Sequence, residues 1–419
     1  MKKRPRVALL RGPLLNPFEM QNYEKLQDEF EVTAFAPHVG MFDTSGIKIP
    51  RKILWCPIAG KIPFERSRRK WQAVRDQLTG RTHSFCGMVD RLQGFDIYHI
   101  RDHSFCFSYE AALAKRRWGG RLVVTEEENI PHLNENKFME RKIKSAVKEQ
   151  ADFFLPVNEA AARALREEGV PDSRMRMISS AVNTDHFTPG PPDGKLRASL
   201  GIPANAFLVI CVARIARSKG VFTLLEAARK LLETEKGLHV LLVGRDEEGG
   251  AEWIERHGME KSVHLTGFLD YAQMPRYYRL AHLFVLPSIP TKGWMEQGPY
   301  SILEAMACGV PVMGSDCGGI PQAVGDDSRV FPPGDAEGLA SVLLSIKRGY
   351  RPSLRRKARQ RACELYSTQV LTGKLRRIYR EVLAMGPAPP SEDEDVETNE
   401  KTQTGGWNAA IGTSAPGSL

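Results

Sequence analysis

The sequence predicts an α/β protein of two doubly wound parallel-sheet domains facing across a cleft, followed by a closing helix and a tail. Three observations carry that expectation. Short apolar runs alternate with amphipathic helical stretches, the pattern of parallel strands joined by crossover helices. The pattern breaks at TDHFTPGPPDG, which is rich in Pro and Gly without an apolar period, and then restarts. The length of 419 residues suits two domains and an extension at roughly 100–200 residues per domain.

In the first half, apolar runs predict strands at residues 7–12, 31–37, 53–58, 95–101, 121–126, 152–157 and 175–181. Helical periodicity predicts crossovers at 18–30, 65–78, 105–118 and 137–150. After the linker at 183–194, strands are expected at 207–213, 239–244, 263–267, 283–287 and 310–314, with helices at 220–232, 271–280 and 299–308. The domains are therefore placed at 1–190 and 191–366. A closing helix at 367–385 is expected to cross back to the first domain. The stretch 386–419 lacks the apolar content to fold and reads as a disordered acidic tail.

Composition narrows the function. Hydrophobic residues make up 42% and charged residues 26%, enough to build two cores. No run approaches the roughly 20 apolar residues of a membrane-spanning helix, and the apolar run after the basic start is too short for a secretory signal. Seven cysteines without a C-x-x-C spacing argue against a disulfide framework or structural zinc and favour a reducing cytoplasm. The net charge of +9 is uneven: residues 386–419 carry −5, leaving +14 on the rest. Nine Lys/Arg against one acid lie between Lys48 and Arg75. That run is either a solvated helix face or a surface for anionic membrane or phosphorylated substrate. Nucleic acid is not expected, because no recognition motif accompanies the charge.

The chemistry-bearing residues gather in the second half. In WMEQGPYSILEAMACGVP, Pro299 suits a helix start, and Glu304 stands among apolar neighbours, where a carboxylate needs hydrogen-bond donors. Glu296 precedes it by eight residues. Two carboxylates that accept hydroxyls, beside a helix N-terminus that favours an anion, match a nucleotide-sugar. A salt-bridged surface Glu is the alternative. Arg214 and Lys219 lie in the segment VARIARSKG, which leads from a strand end into a helix start, where cations oppose the helix dipole, so they imply an anion between them or neighbouring acids. Gly244 and Gly267 end strands, where glycine permits close approach of a ligand or makes a bend.

Taken together in this order, VARIARSKG, LLVGR, HLTGF, LFVLPS and the E-x7-E of EQGPYSILEAMACGVPVMGSDCGGIPQAVGD resemble glycosyltransferase family 4. Those are retaining enzymes of the GT-B fold, two Rossmann-like domains facing across a cleft. The resemblance is dense over residues 205–335 and extends in outline over 1–385. It implies a hexosyltransferase that moves a sugar from a nucleoside diphosphate, UDP before GDP, to a hydroxyl acceptor with retention. By that resemblance Arg214 and Lys219 bind the diphosphate and stabilise the leaving group. Glu304 accepts the ribose hydroxyls, Glu296 holds the transferred sugar, and the backbone around Gly298, Tyr300 and Ser301 faces the phosphates. Phe268, after Gly267, lies near the base. The family needs no metal and no cofactor besides its donor.

The first domain departs from the family pattern. Gly12 stands alone where many members have Gly-Gly after the first strand. Glu127 stands where many have a His that contacts the donor sugar, so it becomes a catalytic candidate, with a covalent glycosyl-enzyme as one alternative. A solvated loop of three acids, Glu126–Glu128, is the other. On the acceptor side Asn16, Glu19, His99, Arg101 and His103 are candidates, with a lipid-linked or sugar acceptor in cell-envelope polysaccharide or glycolipid synthesis. The rival readings are a non-catalytic nucleotide-sugar binder, a sugar-nucleotide epimerase on the same fold, and a polyanion-binding protein.

Overall fold

The computed structural model describes residues 3–38, 40–54 and 87–386. Two six-stranded, all-parallel sheets lie in residues 1–383, which make one unit; of the second unit, 384–419, only 384–386 are described. The first sheet contains β1 (Arg6–Leu10), β2 (Glu31–Pro37), β3 (Arg51–Leu54), β4 (Ile97–Arg101), β5 (Arg121–Glu126) and β6 (Phe153–Pro156) in the order β3-β2-β1-β4-β5-β6. The second contains β7 (Phe207–Val212), β8 (Leu238–Val243), β9 (Val263–Leu265), β10 (Leu283–Leu286), β11 (Val312–Ser315) and β12 (Val330–Phe331) in the order β12-β11-β10-β7-β8-β9. Counted within its own lobe, each sheet runs 3-2-1-4-5-6. Each therefore has a switch point between its first and fourth strands, β1/β4 and β7/β10, where such sheets bind ligands beyond their carboxyl ends.

Both faces of each sheet are covered, which is why the strands read as unbroken apolar runs. In the second lobe, Leu208 and Ile210 of β7 face one core with Leu303 and Met306, while Val209 and Cys211 face another with Leu224 and Leu225. The helix Thr368–Ala384 sends Leu371, Leu375, Ile378 and Tyr379 into the first lobe's core beside Val7 and Leu9. Its Thr372 hydroxyl donates to the Asn22 carbonyl at 2.8 Å.

Three sequence expectations need correction or completion. Residues 175–181 form no strand: only Met175 bridges to Phe154, and the chain runs on as coil with Ile178 and Ala181 buried. The 18–30 helix is an α-helix, Pro17–Glu24, followed by a 3-10 turn, Lys25–Asp28. The third strand, expected at 53–58, begins at Arg51 and is described as far as Leu54. The rest of that segment, the 65–78 helix, most of the Lys48 to Arg75 charge run and the tail lie outside the described residues. Among the described residues, no helix is long and apolar enough to cross a membrane.

Candidate functional site

Beyond the carboxyl ends of β7, β8 and β9 the backbones converge. A Cβ on Gly244, just past β8, would lie 1.9 Å from the Ala213 carbonyl oxygen, so the position excludes any side chain. Gly267 turns with φ +71°, and its carbonyl accepts from the Gly244 N–H at 3.0 Å. The turn leaves Phe268 75% exposed at the rim. The resulting cleft, about 700 Å³, is lined by Arg214, Gly244, Glu247, Phe268, Tyr271 and Glu304. That volume lies within the range of small-ligand sites. The first lobe contributes a wall: Phe18 packs on Tyr271 with ring centroids 4.2 Å apart.

Two ion pairs of this lobe stand in or near the cleft. Arg214 meets Glu247 at 2.6 Å while half of its side chain stays exposed. Lys219 Nζ donates to Glu296 Oε2 at 2.8 Å and sits 4.2 Å from the Trp294 ring centroid. Ser288 Oγ donates to the same Glu296 oxygen at 2.7 Å. Gly220 makes this approach possible: it has φ +66°, and a Cβ there would lie 1.7 Å from the Pro287 carbonyl oxygen. Glu304 is on the helix Tyr300–Ala307, whose N-cap Pro299 supplies no side-chain cap, so the helix begins one residue later than the sequence suggests. Tyr278 Oη donates to Glu304 Oε2 at 2.7 Å, and burial pushes the carboxyl up to about 7 against that hydrogen bond. Gly298 lies against Ser180 and the Tyr300 ring, and Tyr300 and Ser301 form the first turn of that helix.

Across from the helix start lies a charged cluster of the first lobe. Arg11 is fully buried; it donates to Glu19 at 2.5 Å and to the Tyr23 hydroxyl at 2.5 Å. Glu19 also lies 3.6 Å from Arg101, which donates to Glu127. The Glu127 N–H donates to Asp102 at 2.7 Å. Burial raises the Glu127 carboxyl to about 7, with Arg101 pulling the other way. Burial raises the Tyr300 hydroxyl, and the charges of Glu127 and Glu19 in the first lobe push it the same way.

The alternative of a solvated acidic loop is overturned. Glu126, Glu127 and Glu128 are all under 5% exposed, each with its own cation: His103, Arg101 and Lys144. Two acceptor-side candidates also need correction. His99 is fully buried, its ring nitrogens taken by the Tyr379 and Thr125 hydroxyls at 2.6 and 2.8 Å. His103 lies between Glu126 and Glu168 at 2.6 and 2.8 Å. Burial disfavours its charge, but the two carboxylates outweigh this and push the ring up to about 10. Neither imidazole faces the cleft. Asn16 caps the helix Pro17–Glu24 by accepting from the Glu19 N–H at 2.8 Å. Gly12 has φ +54° and is closed off by the Phe107 ring, 2.5 Å from a built Cβ.

His132, Glu135 and Glu168 come close enough together to hold a metal ion, but Lys144 and Lys148 already lie 3.0 and 3.3 Å from Glu168. Two ammonium groups supply the positive charge there. Sequence reasoning missed Arg11, Tyr278, Ser288, Asn129 and Asn158. Only Arg11, a charge directly after an apolar strand, carried a local signal.

Paired Rossmann-like sheets, with a cleft beyond the carboxyl ends of the second sheet and a charged cluster in the first lobe, define the GT-B class. HepE of Anabaena, solved in complex with UDP, superposes with a TM-score of 0.71 at 18% identity, covering 90% of this chain and all of that one. Residues 193–364 match the family model "Glycosyl transferases group 1", and residues 24–186 match "Glycosyltransferase Family 4". The chain belongs to the family 4 glycosyltransferases. The amylovoran biosynthesis glycosyltransferase AmsK of Erwinia amylovora is 30% identical over 205 residues, 48% of each chain. A D-inositol 3-phosphate glycosyltransferase of Saccharomonospora viridis is 32% identical over 232 residues, 52% of each. The aligned part thus spans about half the length of the curated relatives it matches.

Proposed function

We propose that this protein transfers a hexose-type sugar from a nucleoside diphosphate, UDP before GDP, to a hydroxyl acceptor with retention of configuration. One observation carries the reading. The cleft holding Arg214, Gly244, Phe268 and Glu304 lies in the same lobe as the Lys219–Glu296 pair, and Tyr300 at the helix start feels the charges of Glu127, Glu19 and Arg101 of the other lobe. A nucleotide in the cleft would stack its base near Phe268 and place its ribose hydroxyls on Glu304. Its diphosphate would then face Arg214, Lys219 and the helix start. There two cations and a helix N-terminus would neutralise it without a metal.

In the reaction the acceptor oxygen bonds to the anomeric carbon on the face from which the phosphate departs. The carbon–oxygen bond to phosphate breaks, and the acceptor proton passes to the departing phosphate oxygen. Glu296 would hold sugar hydroxyls, and Glu127 would stand beside the reacting carbon. Lobe closure keeps water from the donor. Polysaccharide or glycolipid synthesis is the setting that the relative named for amylovoran biosynthesis supports. In that setting the protein works in the cytoplasm, and the basic run from Lys48 to Arg75 would draw it to anionic lipid.

The test is turnover of UDP-glucose, UDP-galactose and GDP-mannose, with and without sugar and lipid-linked acceptors. Free nucleotide together with a product of unchanged anomeric configuration is expected. An intact nucleotide-sugar with altered sugar stereochemistry would make the protein an epimerase, and binding without turnover would make it a binder. Titration of Glu304 adds a pH signature. An ionised carboxylate accepts two hydroxyls and a neutral one donates, so affinity for the nucleotide-sugar donor, whose diphosphate has no terminal phosphate to titrate, should rise between pH 6 and 8 as Glu304 loses its proton near 7. Calorimetry on Glu304→Gln should show that rise abolished; a rise that persists in the variant would remove Glu304 from the nucleotide site.

A further inference from the structure

We infer that Asn129 and Asn158 of the first lobe form a two-point latch on the loop that carries Glu296, and that this latch positions Glu296 for transfer. The inference rests on the transferase reading above and goes beyond it. Asn129 Nδ2 donates to the Glu296 carbonyl at 2.9 Å, and Asn158 Nδ2 donates to the next carbonyl, Gln297, at 2.7 Å. Both side chains are 3% exposed. Each belongs to a fixed element of the first lobe. Asn158 Oδ1 caps the helix Glu159–Glu167, accepting from the Ala161 N–H at 2.9 Å. Asn129 follows Glu127 and Glu128, whose N–H groups are held by Asp102.

The second lobe is built to receive these amides. Gly318 has φ +57°, and a Cβ there would lie 2.0 Å from the Glu296 carbonyl oxygen and 3.0 Å from Asn129 Nδ2. A Cβ on Gly319 would lie 2.7 Å from the Gln297 carbonyl oxygen and 3.0 Å from Asn158 Nδ2. Two consecutive glycines thus face two consecutive carbonyls and two asparagines of the other lobe. A side chain at either glycine would enter the bond. The Gly319 N–H also donates to the Glu296 carbonyl at 2.9 Å, so that oxygen takes one donor from each lobe. Alongside, the Glu159 N–H donates to Gln322 Oε1 at 2.8 Å and extends the seam.

The two ends of Glu296 are therefore held differently. Its carboxylate is fixed inside the second lobe by Lys219 and Ser288, and its backbone is fixed by the first lobe. Opening the lobes would break both asparagine bonds and free the loop. Asn129 and Asn158 are positioning residues: they act on substrate only through Glu296. Displacement of a substrate-holding group by about 1 Å is enough to slow a reaction markedly.

Asn129→Asp and Asn158→Asp test this in the full-length chain. Aspartate keeps the shape, and at 158 the helix cap, but it cannot donate to the carbonyl. The donor is whichever of UDP-glucose, UDP-galactose or GDP-mannose the unaltered protein turns over fastest. Each variant should lose about five- to tenfold in kcat/KM, the equivalent of one hydrogen bond, while the affinity for the matching nucleoside diphosphate, read by calorimetry, stays unchanged. Asn129→Ala, which adds neither charge nor donor, should show the same split and guards against a folding defect in the aspartate variant. Unchanged kcat/KM, or nucleotide affinity falling in step with it, would overturn the latch. An unaltered protein that turns over none of the three donors would instead fail the transferase reading.

Discussion

Lys219→Ala is expected to lower kcat for sugar transfer about 10²–10³-fold, the scale seen when one preorganised group facing developing charge is removed. The reason is geometric. Gly220 holds the turn against the Pro287 carbonyl, so the ammonium is fixed before any ligand arrives. It is then split between Glu296 at 2.8 Å and whatever anion occupies the adjoining space. As the bond to the phosphate breaks, negative charge grows on the phosphate and the ammonium shifts its weight there without rearranging. Steady-state kinetics with a thermal melt checks this. A variant within threefold of the unaltered kcat would show that Lys219 serves only its ion pair with Glu296.

The second large effect is on stability. Lys144 has a fully buried side chain and lies 2.5 Å from Glu128 and 3.0 Å from Glu168, both under 5% exposed. Removing one partner of a buried ion pair costs about 3–5 kcal/mol; here the loss falls on Glu128, because Glu168 keeps His103 and Lys148. Lys144→Met keeps the volume and removes the charge, so its urea midpoint should fall by that equivalent. Adding Glu128→Gln should recover part of the loss. A change under about 1 kcal/mol would mean that water or proton uptake compensates the carboxylates. Because Glu128 follows Glu127 directly, the double variant also reports whether this buried layer holds the acidic loop in place.

What the sequence revealed depended on how local each signal was. The β7 run FLVICV and the β10 run LFVL were visible because strands covered on both faces need little but apolar residues. The ordered motifs from Arg214 to Glu304 were visible because they sit at strand ends within one lobe. Residues 175–181 misled because buried apolar residues also occur in coil that packs on a sheet edge: Arg176 and Ile178 donate N–H bonds to β6, but only Met175 forms a bridge. His99 and Tyr379 lie 280 residues apart, and Asn129 and Glu296 lie 167 apart. No pattern along the chain announces such contacts. The three acids at the end of β5 and just beyond it look like surface for the same reason: Arg101, His103 and Lys144, which compensate them, come from other parts of the chain.

The central claim is that the second lobe binds a nucleoside diphosphate through Glu304 and its neighbours. Calorimetric titration of UDP, GDP and ADP into the full-length protein and into Glu304→Ala tests it most directly. One nucleotide, UDP before GDP, should bind the unaltered protein, and the variant should lose about tenfold or more of that affinity, the equivalent of one charge-assisted hydrogen bond. Binding of none of the three, or equal binding by the variant, would contradict the account.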